Sequence, residues 1–240
     1  MKTILITASS RGHANHGWLN TYHTFSFADY YDPMRINFGA LRVINDDTVT
    51  GGEGFGTHPH NNMEIVSIPL NGSLEHKDST GGHGVIKPGD VQVMSAGTGV
   101  LHSEMNGDKE DPVSFFQIWV HTAKKDVEPR YQQASFDFFN EKNKNKLIEI
   151  VSPGPTNKGL WIYQDAWFST GIFDKEKSIS YKLKRKNHGV YAMVIEGEFT
   201  VGGQKLDRRD GIGIWDTYSI EIVSSSTNAR ILLIEVPMEF

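Results

Sequence analysis

The stretch from Gly52 to Asn106 contains two short phrases, HPH at residues 58–60 and HSE at residues 102–104. In each phrase, one residue separates two side chains that can bind a metal. Residues i and i+2 of a β-strand point to the same face, so two such strands can aim four side chains at one point. Inside a small β-barrel those polar groups need a shared partner, and a metal ion supplies it.

The two phrases predict a metal site made of His58, His60, His102 and Glu104. Three imidazoles and one carboxylate suit a divalent metal such as iron, nickel, copper or zinc. One His-x-His pair alone is weak evidence, because most such pairs are surface or hydrogen-bonded histidines. The second pair strengthens the prediction. Pro59 cannot donate to a strand ladder, which predicts an edge strand or a bulge at the first pair.

Short apolar runs separated by turn signals predict an all-β fold. Asn71-Gly72 is the strongest hairpin signal in the chain. The charged segment 124–147 interrupts this pattern, and we place a domain junction there, with a first domain at 1–135 and a second at 136–240. A short helix is predicted near residues 131–136.

The second half repeats the strand spacing of the first, from residue 147 to residue 236, which predicts a second barrel that arose by duplication. Gly189 and Val190 follow His188, so this half lacks a His-x-His pair. A barrel without ligands fills its interior with side chains. We therefore expect no metal in the second domain and a structural or surface role for His188.

Composition sets limits on location and partners. The chain has 240 residues, a net charge of −5 and no cysteine. The negative balance argues against a broad nucleic-acid surface, and no apolar run is long enough for a membrane span. Without cysteines there are no disulfides or thiolate ligands, and with no secretion signal at the N-terminus the sequence predicts a cytoplasmic protein.

The glycine framing of the two phrases resembles the two-part signature of the cupin superfamily. Four further runs resemble the pirin branch of that superfamily, over roughly residues 12 to 135: FSFADYY at 25–31, GVIKPGDVQ at 84–92, MSAGTG at 94–99 and QIWV at 117–120. Many cupins use a ligand at the position of Glu64. In this chain the resemblance implies that Glu104, two residues after His102, is the carboxylate ligand instead.

The resemblance implies a bicupin, with two jelly-roll-like β-barrels in tandem, and a non-haem iron site. The expected cofactor is one divalent ion, Fe(II), with nickel, copper, manganese and zinc as alternatives. It also implies quercetin 2,3-dioxygenase activity on a flavonol and dioxygen. Glu104 would then be a ligand and the base that deprotonates the substrate. Candidates for an apolar substrate wall are Phe25, Phe27, Phe38, Met94 and Phe116.

Two other functions stay open at this point. Mammalian pirin is an iron-dependent transcriptional co-regulator, so the chain could be a metal-dependent interaction module or redox sensor that acts through protein partners. The third possibility is a cupin with a sugar or a small acid as substrate. The acidic balance argues against direct DNA binding, although it does not argue against a protein partner.

Overall fold

The computed structural model describes residues 1–155 and 159–240. Nearly all of the ordered elements there are strands, together with 3₁₀ turns at Ala8–Ser10 and Glu141–Asn143. The strands in the first part of the chain are β1 Lys2–Ile6, β2 Gly12–Asn15, β3 Leu19–His23, β4 Leu41–Val49, β5 Gly54–His60, β6 Met63–Asn71, β7 Leu74–Asp78, β8 His83–Ile86, β9 Asp90–Ser95, β10 Val100–Asn106, β11 Val113–His121 and β12 Arg130–Ser135. Those that follow are β13 Ile148–Pro153, β14 Leu160–Ile162, β15 Trp167–Phe173, β16 Ser178–Lys182, β17 His188–Glu196, β18 Phe199–Val201, β19 Gln204–Leu206, β20 Gly211–Trp215, β21 Ser219–Ser224 and β22 Ala229–Pro237.

Two barrels are built on the same plan. The first combines a seven-stranded sheet, β12-β9-β6-β11-β4-β3-β2, with a four-stranded sheet, β5-β10-β7-β8. The second combines β1-β20-β17-β22-β15-β13-β14 with β16-β21-β18-β19. The all-β, two-barrel prediction is confirmed. The boundary between residues 135 and 136 stays a prediction.

The strand β1 lies in the sheet of the second barrel, where it pairs with β20 from Lys2 opposite Trp215 to Ile6 opposite Gly211. In the first barrel, β12 takes the equivalent position beside β9. The helix predicted near residues 131–136 is therefore wrong. Pairing with the free edge of β9 gives this polar segment its strand conformation, and that long-range partner is not visible in local sequence.

The largest apolar cluster joins the two seven-stranded sheets. It contains Phe38 and Phe116 from the first part of the chain and Phe168 and Tyr191 from the second, all at most 4% exposed. Side chains alternate across a strand, so the other face of each large sheet turns towards its own barrel interior. This packing holds the two barrels against each other.

The two barrel interiors differ in chemistry. In the second barrel, a continuous apolar cluster fills the interior, with Phe199, Ile220 and Ile222 among its members. In the first barrel, an apolar layer around Leu74 and Phe115 gives way to buried polar side chains. None of the helical turns in the described residues is long and apolar enough to span a membrane, and the cytoplasmic location stays a prediction.

Candidate metal centre

The first histidine pair lies on β5, which is the edge strand of the four-stranded sheet. An edge strand tolerates Pro59 because its unused backbone side needs no donor. The neighbouring strand β10 places His102 opposite His58, and the register shifts between His102 and Glu104. The edge position matches one of the two alternatives that the proline predicts. Pro59 itself stays in register opposite Leu101, and the shift lies between Phe55 and His58.

Three imidazoles converge between these strands. The ring centroids of His58 and His102 lie 4.4 Å apart, and that of His60 lies 4.8 Å from each of them. The Nε2 atoms of His58 and His102 are 3.0 Å apart. Ligands at right angles, each about 2.1 Å from a metal, are separated by about 3 Å.

The protonation state of the histidines also suits a metal. The Nδ1 atom of His58 lies 2.8 Å from the carbonyl oxygen of Gly56, which accepts its hydrogen and leaves Nε2 with a free lone pair. Burial, reinforced by the neighbouring His58, lowers the pKa of His60 to about 4. Burial and the charges of His58, His60 and His76 lower the pKa of His102 to about 2. Neutral imidazoles are the form that binds metals.

Glu104 lies beneath the imidazoles and crosses the barrel interior, with 1% of its surface exposed. Its Oε1 accepts hydrogen bonds from Ser67 at 2.9 Å and from Gln92 at 3.1 Å, and its Oε2 accepts one from Gln117. Burial raises the pKa of Glu104 to about 7, although these three donors act to lower it. A bound cation would lower it further.

The predicted ligands fall into two overlapping groups rather than one. The ligand atoms of His58, His60 and His102 lie within 4.8 Å of one another, and so do those of His76, His102 and Glu104. Sequence reasoning missed His76, although His76 and Asp78 are separated by one residue, the same spacing as His102 and Glu104. Its position follows from strand pairing, which sets His76 opposite Glu104.

Both ring nitrogens of His76 already have protein partners. Its Nε2 lies 2.8 Å from Asp78 Oδ2, and its Nδ1 lies 3.4 Å from Gln92 Nε2. The ring also stacks on Tyr131, with centroids 4.3 Å apart. This side chain therefore packs and orients its neighbours behind His102, and through Gln92 it is connected to Glu104.

Two cavities meet at the histidines. An open outer cleft of about 860 Å³ runs past His58, His60 and Trp119 and is bordered by Met63 and Leu101. An inner cavity of about 140 Å³ touches the same two histidines and Trp119 from the side of β3 and β4. Glu104 and Gln117 also line the inner cavity.

Of the predicted substrate wall, only Phe27 lines one of these two cavities. Phe25, Phe38 and Phe116 belong to the apolar cluster between the barrels, and Met94 packs with Ile65 and Val100. The aromatic walls that the sequence interpretation missed are Phe55 and Trp119. Trp119 lies in the QIWV run, next to the core residue Ile118. Because adjacent residues of a strand point to opposite faces, this position could have indicated that Trp119 faces the barrel interior.

In the second barrel, the strand equivalent to β10 is β21, which carries Ile220 and Ile222 inside the barrel. His188 is 5% exposed, and its Nδ1 lies 3.2 Å from Glu235 Oε1. Each cluster of three or more potential ligands in the described residues involves His102 of the first barrel. That His188 is buried agrees with a structural role.

The residues of the first barrel fit a metal ion. The Nε2 atoms of His58 and His102 are 3.0 Å apart, close enough to bind the same ion, and His102 Nδ1 is buried without a hydrogen-bond partner in the described part of the chain. A donor set of imidazole nitrogens and a carboxylate oxygen suits iron, nickel, copper or zinc. A divalent ion shared by the imidazoles would satisfy the converging lone pairs.

Comparison with known proteins gives a consistent result. Residues 6–120 match the family described as Pirin, and residues 149–236 match the Quercetinase C-terminal cupin domain. The chain is 40% identical over 230 residues to a quercetin 2,3-dioxygenase of Escherichia coli K12, covering 96% of each chain. It is 36% identical to a pirin-like protein of Caulobacter vibrioides, covering 93% of this chain and 95% of the relative.

A solved structure shows the same fold. The bacterial pirin YhhW of Escherichia coli, in complex with nickel(II), superimposes with a TM-score of 0.91 at 38% identity, covering 98% of this chain and 99% of that one. Both barrels are included in this match. With its two family domains and full-length relatives, the chain belongs to the pirin family of the cupin superfamily.

Proposed function

We propose that the chain is a metal-dependent dioxygenase that opens the central ring of quercetin-like flavonols. The observation that carries the proposal is the convergence of His58, His60 and His102, with their Nε2 atoms as close as 3.0 Å, above a buried glutamate. Full-length relatives named quercetin 2,3-dioxygenase support the same activity.

The proposed ligands are His58, His60, His102 and Glu104. We propose Fe(II) as the native metal, with nickel, copper, manganese and zinc as alternatives, and the nickel(II) complex of the Escherichia coli pirin supports the binding of a divalent ion by this fold. The metal, when bound, supplies a Lewis-acidic centre at which a flavonol oxygen and dioxygen can react. The Glu104 carboxylate now groups with His76 and His102, and we propose that it joins the three imidazoles around the ion when the metal binds.

A side chain of this protein would accept the proton that the substrate loses. Flavonol activation begins with removal of the 3-hydroxyl proton, and a base works best with a pKa near the working pH. In the metal-free protein burial raises the pKa of Glu104 to about 7, and a bound cation would lower it from that value. Hydrogen bonds from Ser67, Gln92 and Gln117 fix the orientation of the carboxylate, and the outer cleft of about 860 Å³ is within the range of sites for drug-sized ligands.

Elemental analysis of anaerobically purified protein, combined with an oxygen electrode and quercetin, tests this proposal. We expect oxygen uptake that depends on quercetin and stops when a chelator removes the metal. Equal loss of quercetin with metal-free protein would contradict a metal-dependent reaction. Negligible turnover by fully loaded protein, together with a partner that co-purifies only when metal is present, would favour the regulatory alternative.

A further inference from the structure

The inner cavity has the dimensions and walls of a binding site for one aromatic ring. Its volume is about 140 Å³, well below the roughly 300–1,000 Å³ of sites that enclose a whole drug-sized ligand. Phe27 and Trp119 meet edge to face with centroids 5.3 Å apart, and Phe55 adds a further aromatic wall. Flat apolar walls of this kind favour a planar ring between them.

The same cavity contains a buried carboxyl group whose role is not explained by the metal centre. Asp47 is 3% exposed, and among residues 1–155 and 159–240 its Oδ1 has no partner at hydrogen-bond geometry. The Thr21 hydroxyl, opposite it on β3, is near enough to lower the pKa of Asp47 but is itself buried without a partner at such geometry. The nearby Asn45 differs, because its Oδ1 is engaged by His23 Nδ1 at 2.8 Å. An unsatisfied buried acceptor is costly, and a hydroxyl group of a ligand in the cavity would satisfy it.

We propose that the inner cavity is a subsite for the pendant phenolic ring of the flavonol, with Asp47 Oδ1 accepting a hydrogen bond from a hydroxyl of that ring. This inference rests on the proposed function and adds a specificity-determining residue to it. The walls formed by Phe27 and Trp119 hold the ring, and Asp47 distinguishes a hydroxylated ring from a bare one.

The shape of a flavonol explains why the pendant ring is the one that enters. The pendant ring is a single ring on a rotatable bond, whereas the other two rings are fused and need more space than the inner cavity offers. It is attached to the carbon beside the 3-hydroxyl, so it must lie close to the groups that bind that oxygen. His58 and His60 line both cavities, which places the fused rings in the outer cleft.

Anaerobic calorimetric titration of nickel(II)-loaded protein tests the subsite without turnover. The two ligands are quercetin and the flavonol that has identical fused rings but no hydroxyl on its pendant ring. We expect the wild-type protein to bind quercetin about tenfold more tightly or better, the effect of one buried hydrogen bond. Asp47→Leu, which keeps a side chain of similar width without polar atoms, should reduce the ratio of the two dissociation constants to about one.

Two further variants keep the test decisive. Asp47→Ala serves if Asp47→Leu does not fold, and it should also abolish the preference. Ser152→Ala is the matched control, because the Ser152 hydroxyl is buried without a partner in the described residues but lies on β13 of the second barrel. It should preserve the wild-type ratio. A wild-type protein without preference, or a preference that survives in the Asp47 variants, overturns the subsite.

The outcome also separates this inference from the proposed function. If neither flavonol binds to loaded wild-type protein, the flavonol proposal fails, and phenol itself becomes the probe in ligand-observed NMR. Phenol binding that Asp47→Leu abolishes supports a phenolic subsite. If phenol does not bind, or binds equally well to the variant, the subsite is overturned as well.

Discussion

Asp46 and Asp47 are neighbours on β4, and their side chains point to opposite faces of the same sheet. Asp46 Oδ2 accepts hydrogen bonds from Arg209 Nε at 2.9 Å and from Arg11 at 3.3 Å, whereas Asp47 lines the inner cavity. Strand alternation produces this division. One carboxylate thereby joins the first barrel to a residue of the second, and the next lines the inner cavity beside the metal centre.

Removing the Asp46 carboxylate should destabilise the contact between the barrels. The side chains of Arg11, Asp46 and Arg209 are only 4%, 12% and 9% exposed. Asp46→Ala removes the carboxylate paired with Arg11 and leaves Arg209 with only the half-exposed Glu196, 3.7 Å away. We expect a loss of about 3–5 kcal/mol in the free energy of unfolding, measured by urea denaturation.

The matched control for Asp46 is a solvent-exposed ion pair of similar length. Lys2 and Asp216 lie 2.7 Å apart, with 65% and 56% of their side chains exposed. Asp216→Asn should change the free energy of unfolding by no more than about 0.5 kcal/mol. Equal effects of the two substitutions would contradict a special role for the buried cluster.

Asp47 should make the metal-free protein less stable as the pH rises from about 4 to about 7. Burial raises its pKa from 3.8 to about 7. In that pH window the folded state holds a proton that the unfolded state has released, so each step up in pH favours unfolding. Above pH 7 both states are ionised at Asp47, and the penalty is constant.

Asp47→Asn removes this titration and keeps the size of the side chain. We therefore expect the thermal midpoint of the wild-type protein to fall relative to that of Asp47→Asn between pH 4.5 and pH 7, and the difference to stay level from there to pH 8. Differential scanning calorimetry on metal-free samples measures it. Parallel pH curves for the two proteins would show that the folded-state pKa of Asp47 is near its ordinary value.

The sequence predicts the site residues that form pairs with one intervening residue on the same strand. His58 with His60 and His102 with Glu104 are separated by one residue, and alternation alone places each pair on one face. Asp47 has no such signal, because strand pairing brings it to the site from another part of the barrel, where it lies opposite Phe115. His76 and Asp78 have the same one-residue spacing, but only strand pairing shows that His76 lies opposite Glu104.

The same distinction holds for the fold. Turn signals such as Asn71-Gly72 and alternating runs predict that the elements are strands, but the hairpin expected at Asn71-Gly72 is not formed, because β6 and β7 lie in different sheets. Such signals contain no information on which edge a terminal strand joins, so neither the place of β1 in the second barrel nor the strand at Arg130–Ser135 could be predicted locally. Free edges of β20 and β9 select those partners, and an edge exists only after the sheets have formed.

Metal content should be one ion per chain. The second barrel carries Ile220 and Ile222 at the place of His102 and Glu104, and an apolar interior cannot hold an ion. His102→Ala should lower the metal content measured by elemental analysis, with activity falling in proportion. Two ions per chain in the wild-type protein, the second lost in His188→Ala, would show that the second barrel also binds metal.

Glu104→Gln separates the two roles proposed for Glu104, metal ligand and general base. Loss of a ligand and loss of a base both abolish turnover, so activity alone is ambiguous. Glu104→Gln keeps an oxygen that can coordinate weakly but cannot take a proton near neutral pH. The three imidazoles can still hold a divalent metal. We expect partial metal retention and, per bound metal, turnover of quercetin reduced by ~10²-fold or more, the range for a lost general base.

Glu64→Gln is the matched control for Glu104→Gln. Glu64 is equally buried, at 1% exposed, and lies in the same barrel, but its Oε2 accepts a hydrogen bond from Ser95 at 2.6 Å and it lines neither cavity at the histidines. Metal content and activity should remain close to wild type in this variant. If metal-loaded Glu104→Gln also turns over quercetin at the wild-type rate, Glu104 is at most a ligand. The base must then be sought elsewhere, and Asp47, which lines the inner cavity with a pKa of about 7, would be the first residue to replace.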